Sequence, residues 1–165
     1  MKLRKHKVDN SQNLNGILFP PNTTWVTPGQ IPDLSGAKLI GCDTETKDPN
    51  LVTLGPGFVR NDAQVAGISL ATEDAAWYFP MRHLGGGNLD PGVVATYVRH
   101  VMKNKAKKIF ANASYDLEAL ASENIVVKGD IIDVQLIEAL LEEEREEGYA
   151  LEILCKKHLG VSKDE

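Results

Sequence analysis

Two carboxylates separated by one residue close an apolar run in Leu39-Ile40-Gly41-Cys42-Asp43-Thr44-Glu45-Thr46. Side chains alternate along a strand, so Asp43 and Glu45 leave one face, about 6–7 Å apart, while Thr44 leaves the other. Like charges at that spacing repel unless a cation lies between them. Hard oxygen ligands suit Mg²⁺ or Mn²⁺, and a divalent ion held there serves phosphate-ester chemistry. The spacing alone is a weak signal, since Asp116-Leu117-Glu118 repeats it. A strand ending in a solvated turn is the plainer account, and the surrounding elements must decide.

The first strand is predicted over 38–44, followed by a polar, Gly- and Pro-containing loop over 47–62. Two further strands, 64–71 and 75–79, are joined by Thr72-Glu73-Asp74 as a short hairpin connection. Their apolar runs predict burial on both faces, with Trp77, Tyr78 and Phe79 as sheet packing. Gly85-Gly86-Gly87 forms a flexible loop without the lysine of a phosphate loop. His83, just before it, reads as a surface-loop histidine within reach of DNA.

Asp90-Pro91 starts a helix, with Asp as cap and Pro at the first helical position. Its stripe is Val93, Val94, Tyr97, Val98, Val101 and Met102. A strand over 108–112, a helix over 114–122 and a strand over 130–132 follow. Asp133 is placed to cap a helix carrying Leu136, Ile137, Leu140 and Leu141, and a last helix over 149–159 stops at Gly160. Hairpin-linked strands followed by alternating helices and strands describe an α/β domain, a mixed five-stranded sheet flanked by helices. Residues 1–37, rich in Asn, Pro, Gly and Thr, read as an extended arm pinned by Trp25 and Ile17-Leu18-Phe19, and 38–165 as the domain.

A chain of 165 residues, 42% hydrophobic and 25% charged, can bury one real core. It has no 18-residue apolar run and no signal-peptide core, which points to a cytoplasmic protein without membrane partners. Cys42 and Cys155 read as two buried thiols. A net charge of −5 argues against a protein that coats nucleic acid, though not against a nuclease, whose metal ions meet the phosphates. Lys103, Lys105, Lys107 and Lys108 read as a solvated helix end or a DNA-backbone contact, and the acidic run 142–147 as a solvated helix face.

Two stretches then combine. One is Ile40-Gly41-Cys42-Asp43-Thr44-Glu45-Thr46 with the hairpin after it; the other is Lys108-Ile109-Phe110-Ala111-Asn112-Ala113-Ser114-Tyr115-Asp116. Over about 38–160 the chain resembles the 3′–5′ proofreading exonuclease domain of family A DNA polymerases, phage type, within the DEDD exonucleases of ribonuclease H-like fold. The family's Asp-x-Glu motif matches Asp43 and Glu45, and its Asn-x-x-x-Asp motif matches Asn112 and Asp116. The third motif, Tyr-x-x-x-Asp, belongs beyond the helix over 149–160. Four residues after Tyr78, Tyr97, Tyr115 and Tyr149 stand Arg82, Val101, Ala119 and Ile153.

The resemblance implies a two-metal Mg²⁺ or Mn²⁺ site hydrolysing single-stranded DNA 3′ ends. Asp43 would bridge both metals, Glu45 would hold the one carrying the attacking water, and Asp116 would support the second. Thr44, Thr46 and Asn112 would meet the terminal nucleotide or DNA. It also implies a partner, either a polymerase domain or a separate chain carrying the third motif, weak or absent activity without it, and a host-cytoplasm setting if phage-encoded. Two alternatives stay open: a non-catalytic domain that binds nucleic acid or a partner, and a ribonuclease D-like RNA exonuclease. If the missing motif arrives from another chain, an exposed apolar surface is expected near the C-terminal helix.

Overall fold

β1 (Leu39–Lys47) is the central strand, and what it pairs with places the rest of the chain. The computed structural model describes residues 31–161. The order along the chain is β1, a short α1 (Leu51–Leu54), β2 (Gln64–Ala71), β3 (Ala76–Pro80), α2 (Pro91–Met102), β4 (Lys107–Phe110), α3 (Ala113–Ser122), β5 (Ile131–Asp133), α4 (Val134–Leu141) and α5 (Leu151–Leu159). The five strands form one mixed sheet in the order β3-β2-β1-β4-β5. β1 runs antiparallel to β2 and parallel to β4, while β2–β3 is antiparallel and β4–β5 parallel. The mixed five-stranded sheet expected from the sequence is thus present.

Several bounds differ. β1 runs three residues beyond its predicted end, because the β2 ladder continues to Lys47 opposite Gln64. Its register slips after Glu45, which faces Gly67, whereas Thr46 faces Val65. β2 therefore carries Ala66 as an extra residue, a bulge of the kind that re-aims side chains beside a site. The Ala66 carbonyl accepts from the backbone N–H groups of Met81 and Arg82 at 2.8 and 3.0 Å, fixing the chain as it leaves β3. The predicted loop over 47–62 contains α1. The acidic run 142–147 is a turn-rich link rather than a helix face, as befits like charges that would repel at helical spacing. Of the predicted arm, 1–30, with Trp25 and Ile17-Leu18-Phe19, lies outside the described residues. Leu34 of the remainder is buried in the core.

α2 begins as its cap signal predicts, with the Asp90 carboxylate accepting from the Val93 N–H at 2.9 Å. Its buried stripe is Val94, Ala95, Val98, Val101 and Met102, while Val93 points outward. These pack with Ile40, Ile68, Leu70, Phe79, Phe110 and Leu120 as the core. Cys42 is buried there, whereas Cys155 is half-buried rather than enclosed. No helix of the described residues is long and apolar enough to cross a membrane.

Lys108 departs furthest from its sequence reading. It shares the core face of β4 with Phe110 and has no exposed surface. Its Nζ donates to the Asn104 and Ala106 carbonyls at 2.6 and 2.8 Å, to Asn104 Oδ1 at 3.0 Å and to the Lys128 carbonyl at 3.2 Å. Burial holds its pKa below the ordinary lysine value. The ammonium is thus a tie between two loops, not a charge offered to DNA. Lys108→Met keeps the volume but strands these acceptors, at about 1 kcal/mol for each of three carbonyls. The expected loss is about 3 kcal/mol, a melting temperature lower by about 6–12 °C in calorimetry. An unchanged melting temperature would show that water satisfies the loops instead.

Candidate active site

The alternation of β1 carries the site. Asp43 and Glu45 are exposed on one face, while Thr44 is buried on the other. β4 pairs with β1 at Leu39, Ile40 and Gly41. Beyond that point the edge of β1 is met by the first turn of α3. There the Asp116 carboxylate accepts from the Thr44 N–H at 2.9 Å and from Thr44 Oγ1 at 2.6 Å, both at Oδ1. Asp116 is 3% exposed. Burial pushes its pKa up to about 6, the charges of Asp43 and Asp133 add to the rise, and the two Thr44 donors oppose it.

α3 starts from a strained turn. Asn112 adopts the left-handed conformation, φ 65° and ψ 58°, which asparagine tolerates better than most residues. Its N–H and that of Ala113 donate to the two Asp133 oxygens at 3.2 and 2.8 Å. Asp133 also caps α4 as predicted, accepting from Gln135 and Leu136. One carboxylate at the end of β5 thereby sets the starts of two helices, and with them the position of Asp116. The Asn112 side chain accepts from Ser114 Oγ at 3.1 Å. Thr46 Oγ1 lies 2.7 Å from the Tyr115 hydroxyl, whose ring stands edge-on to Phe58.

The structure therefore brings Asp43 and Glu45 together on one surface and sets Asp116 against Thr44 at the strand edge. Among the described residues no three His, Cys, Asp or Glu side chains converge as a ready-made metal cage. Thr44, which the resemblance directs to the terminal nucleotide, spends its N–H and hydroxyl on Asp116. Sequence reasoning missed Tyr115 as the partner of Thr46, although its place next to Asp116 in the second motif was available as a signal. It also read Tyr78 as plain packing, whereas the Tyr78 ring lies over Gly67, the residue opposite Glu45.

This sheet, with acids on the second half of its central strand, defines an α/β domain of the ribonuclease H-like exonuclease class. A family model described as 3′–5′ exonuclease matches residues 30–165. The chain belongs to the 3′–5′ exonuclease domain family of A-type DNA polymerases. It is 35% identical over 151 residues to a DNA-directed DNA polymerase of Pseudomonas phage M6, covering 87% of this chain and 23% of that one. It is 28% identical over 143 residues to DNA polymerase I of a Synechocystis species, covering 76% and 13%. The chain thus spans less than a quarter of the length of either polymerase. Among solved structures it shares its fold with Brucella melitensis NrnC bound to pGG, with a TM-score of 0.60, 18% identity and coverage of 82% of this chain and 60% of that one. NrnC with bound Mg²⁺ gives a TM-score of 0.59 at 19% identity, covering 82% and 61%.

Proposed function

We propose that this chain is part of a 3′–5′ exonuclease that removes nucleotides from single-stranded DNA 3′ ends during replication by an A-type polymerase. The observation that carries the reading is the exposed Asp43–Glu45 pair, one residue to either side of the point where Asp116 is anchored. Two carboxylates side by side on a solvent-facing strand fit a hard divalent ion in donor type and charge. Asp43 and Glu45 would hold Mg²⁺ or Mn²⁺, joined by Asp116 directly or through water and by an aspartate supplied from the third motif. A pair of such ions lowers the pKa of a water nucleophile and neutralises the leaving oxygen.

The chain's own residues do the positioning. Thr44 fixes Asp116, and through it the start of α3 against β1. Thr46, tied to Tyr115, and Asn112, at the exposed turn before α3, would meet the terminal nucleotide or the DNA. Digestion of labelled single-stranded DNA tests the reading, with Mg²⁺, Mn²⁺ or excess chelator, for the chain alone and joined to the polymerase sequence bearing the third motif. Metal-dependent 3′ release by the joined protein is expected, with little from the chain alone. A joined protein that folds and releases nothing would refute it, and matched RNA oligonucleotides report the sugar preference.

The partner reading rests on α4 and α5. α4 turns Glu138 inward, where it accepts from Arg145, Lys157 and His158 at 2.8, 2.6 and 2.9 Å. Its leucines face solvent, Leu136 at 60%, Leu140 at 69% and Leu141 at 77% exposed. Between α4 and α5 lies an apolar groove of about 330 Å³ lined by Val134, Ile137, Leu151, Leu154 and Leu159. The polymerase segment that carries the third motif, which follows α5 in the family's motif order, would cover both this groove and the exposed leucines of α4.

A further inference from the structure

A second set of side chains flanks the carboxylate pair, and none of them has a part in the roles above. The register places Tyr78 opposite Ser69, and Ser69 opposite Asp43. The Tyr78 ring leans along the sheet over Gly67, the residue opposite Glu45. A Cβ on Gly67 would stand 2.1 Å from the Tyr78 hydroxyl oxygen and 2.5 Å from the ring carbon that bears it, so any side chain there would expel the ring. Directly paired antiparallel residues project to one face with Cβ atoms about 4.5–5.5 Å apart. The phenol therefore lies on the metal-binding face beside the Glu45 side chain. Burial first, then the negative charges of Glu45 and Asp43, push its pKa up to about 12.

Tyr78 is held from its far side. Its hydroxyl is hydrogen-bonded to His83 Nε2, and the two rings meet edge-on at 5.6 Å and 67°. His83 is clasped in turn by Asn88: its N–H donates to Asn88 Oδ1 at 2.7 Å, and its carbonyl accepts from Nδ2 at 2.8 Å. The loop closes because Gly86 and Gly87 supply positive φ, 84° and 72°. A histidine fixed at backbone and ring is not an incidental surface residue.

We propose that Tyr78 and His83 are positioning residues for Glu45, with His83 Nε2–H donating to the Tyr78 oxygen and the Tyr78 O–H presented to the Glu45 carboxylate. The phenol has one hydrogen to give and lone pairs to receive one, so a bond from His83 and a bond to Glu45 are compatible at one oxygen. Hydrogen bonds to a ligating carboxylate fix its orientation, and their loss costs about 10–100-fold in metal affinity. The inference rests on the metal reading of Asp43 and Glu45.

Calorimetric titration of Mn²⁺ into the full chain tests it, with melting temperature followed in parallel. Tyr78→Phe keeps the ring over Gly67 and is expected to weaken Mn²⁺ binding about tenfold while lowering the melting temperature by no more than about 6 °C, the loss of one hydrogen bond. His83→Ala is expected to weaken it similarly, and the double variant by no more than either alone. His83→Gln, which restores an N–H donor, is expected to recover part of the affinity. If Asp43→Ala loses binding while Tyr78→Phe binds as the unsubstituted chain does, the inference fails and the metal reading stands. If the unsubstituted chain takes up no Mn²⁺, both fail.

Discussion

In metal-free buffer Asp43→Ala is expected to melt close to the temperature of the unsubstituted chain, and to lose the stabilisation that Mn²⁺ confers. Asp43 is exposed, so its removal takes no packing from the core, and exposed substitutions usually change stability by less than about 0.5 kcal/mol. Repulsion with Glu45 along the strand is relieved as well. Added Mn²⁺ stabilises a chain that binds it by mass action, so a variant with half the carboxylate pair should show little or no shift. In the joined protein, 3′ digestion should fall at least about a thousandfold, as when one member of a catalytic unit is deleted.

Asp116→Ala should behave differently. Asp116 is buried and anchors Thr44, and its loss strands a buried N–H and hydroxyl at about 1–3 kcal/mol. The same melting and titration experiments separate the two acids. A stability loss in Asp43→Ala equal to that in Asp116→Ala would contradict the exposed-pair reading.

What the sequence made legible was local. Strand alternation put Asp43 and Glu45 on one face, Asp90-Pro91 set the start of α2, and Asp133 capped α4, because each depends on residues within one turn or one strand. The alternating order of elements gave the mixed sheet. What stayed hidden depends on register between strands. The Tyr78 ring lies over Gly67 on the intervening strand, opposite Glu45 and next to a bulge that no periodicity announces. Lys108 looked like one more basic residue in a run, yet it shares the covered face of β4 with Phe110, and its head group is satisfied by carbonyls as far apart in sequence as Ala106 and Lys128. The apolar stripe of α4 was readable, but not its direction. A leucine stripe predicts burial, and here the covered side is the one bearing Glu138.

That inversion gives the second large expected effect. Leu136→Asp combined with Leu140→Asp should leave the melting temperature of this chain within the range of exposed substitutions, since both side chains are mostly in water. The same double variant should weaken association with the polymerase segment carrying the third motif at least about 30-fold, the loss of about 2 kcal/mol that a central apolar anchor provides. Sedimentation or calorimetry of the two pieces reads the association, with Val52→Asp, at a fully exposed valine of α1, as the control. Large exposed apolar patches mark interaction surfaces in general. Here the polar underside of α4 is already engaged by Arg145, Lys157 and His158. Rotating the helix to bury its leucines would expose that cluster and break it, so under the proposed function the stripe would be covered by a partner rather than by repacking α4. Unchanged association in the double variant would move the docking surface elsewhere.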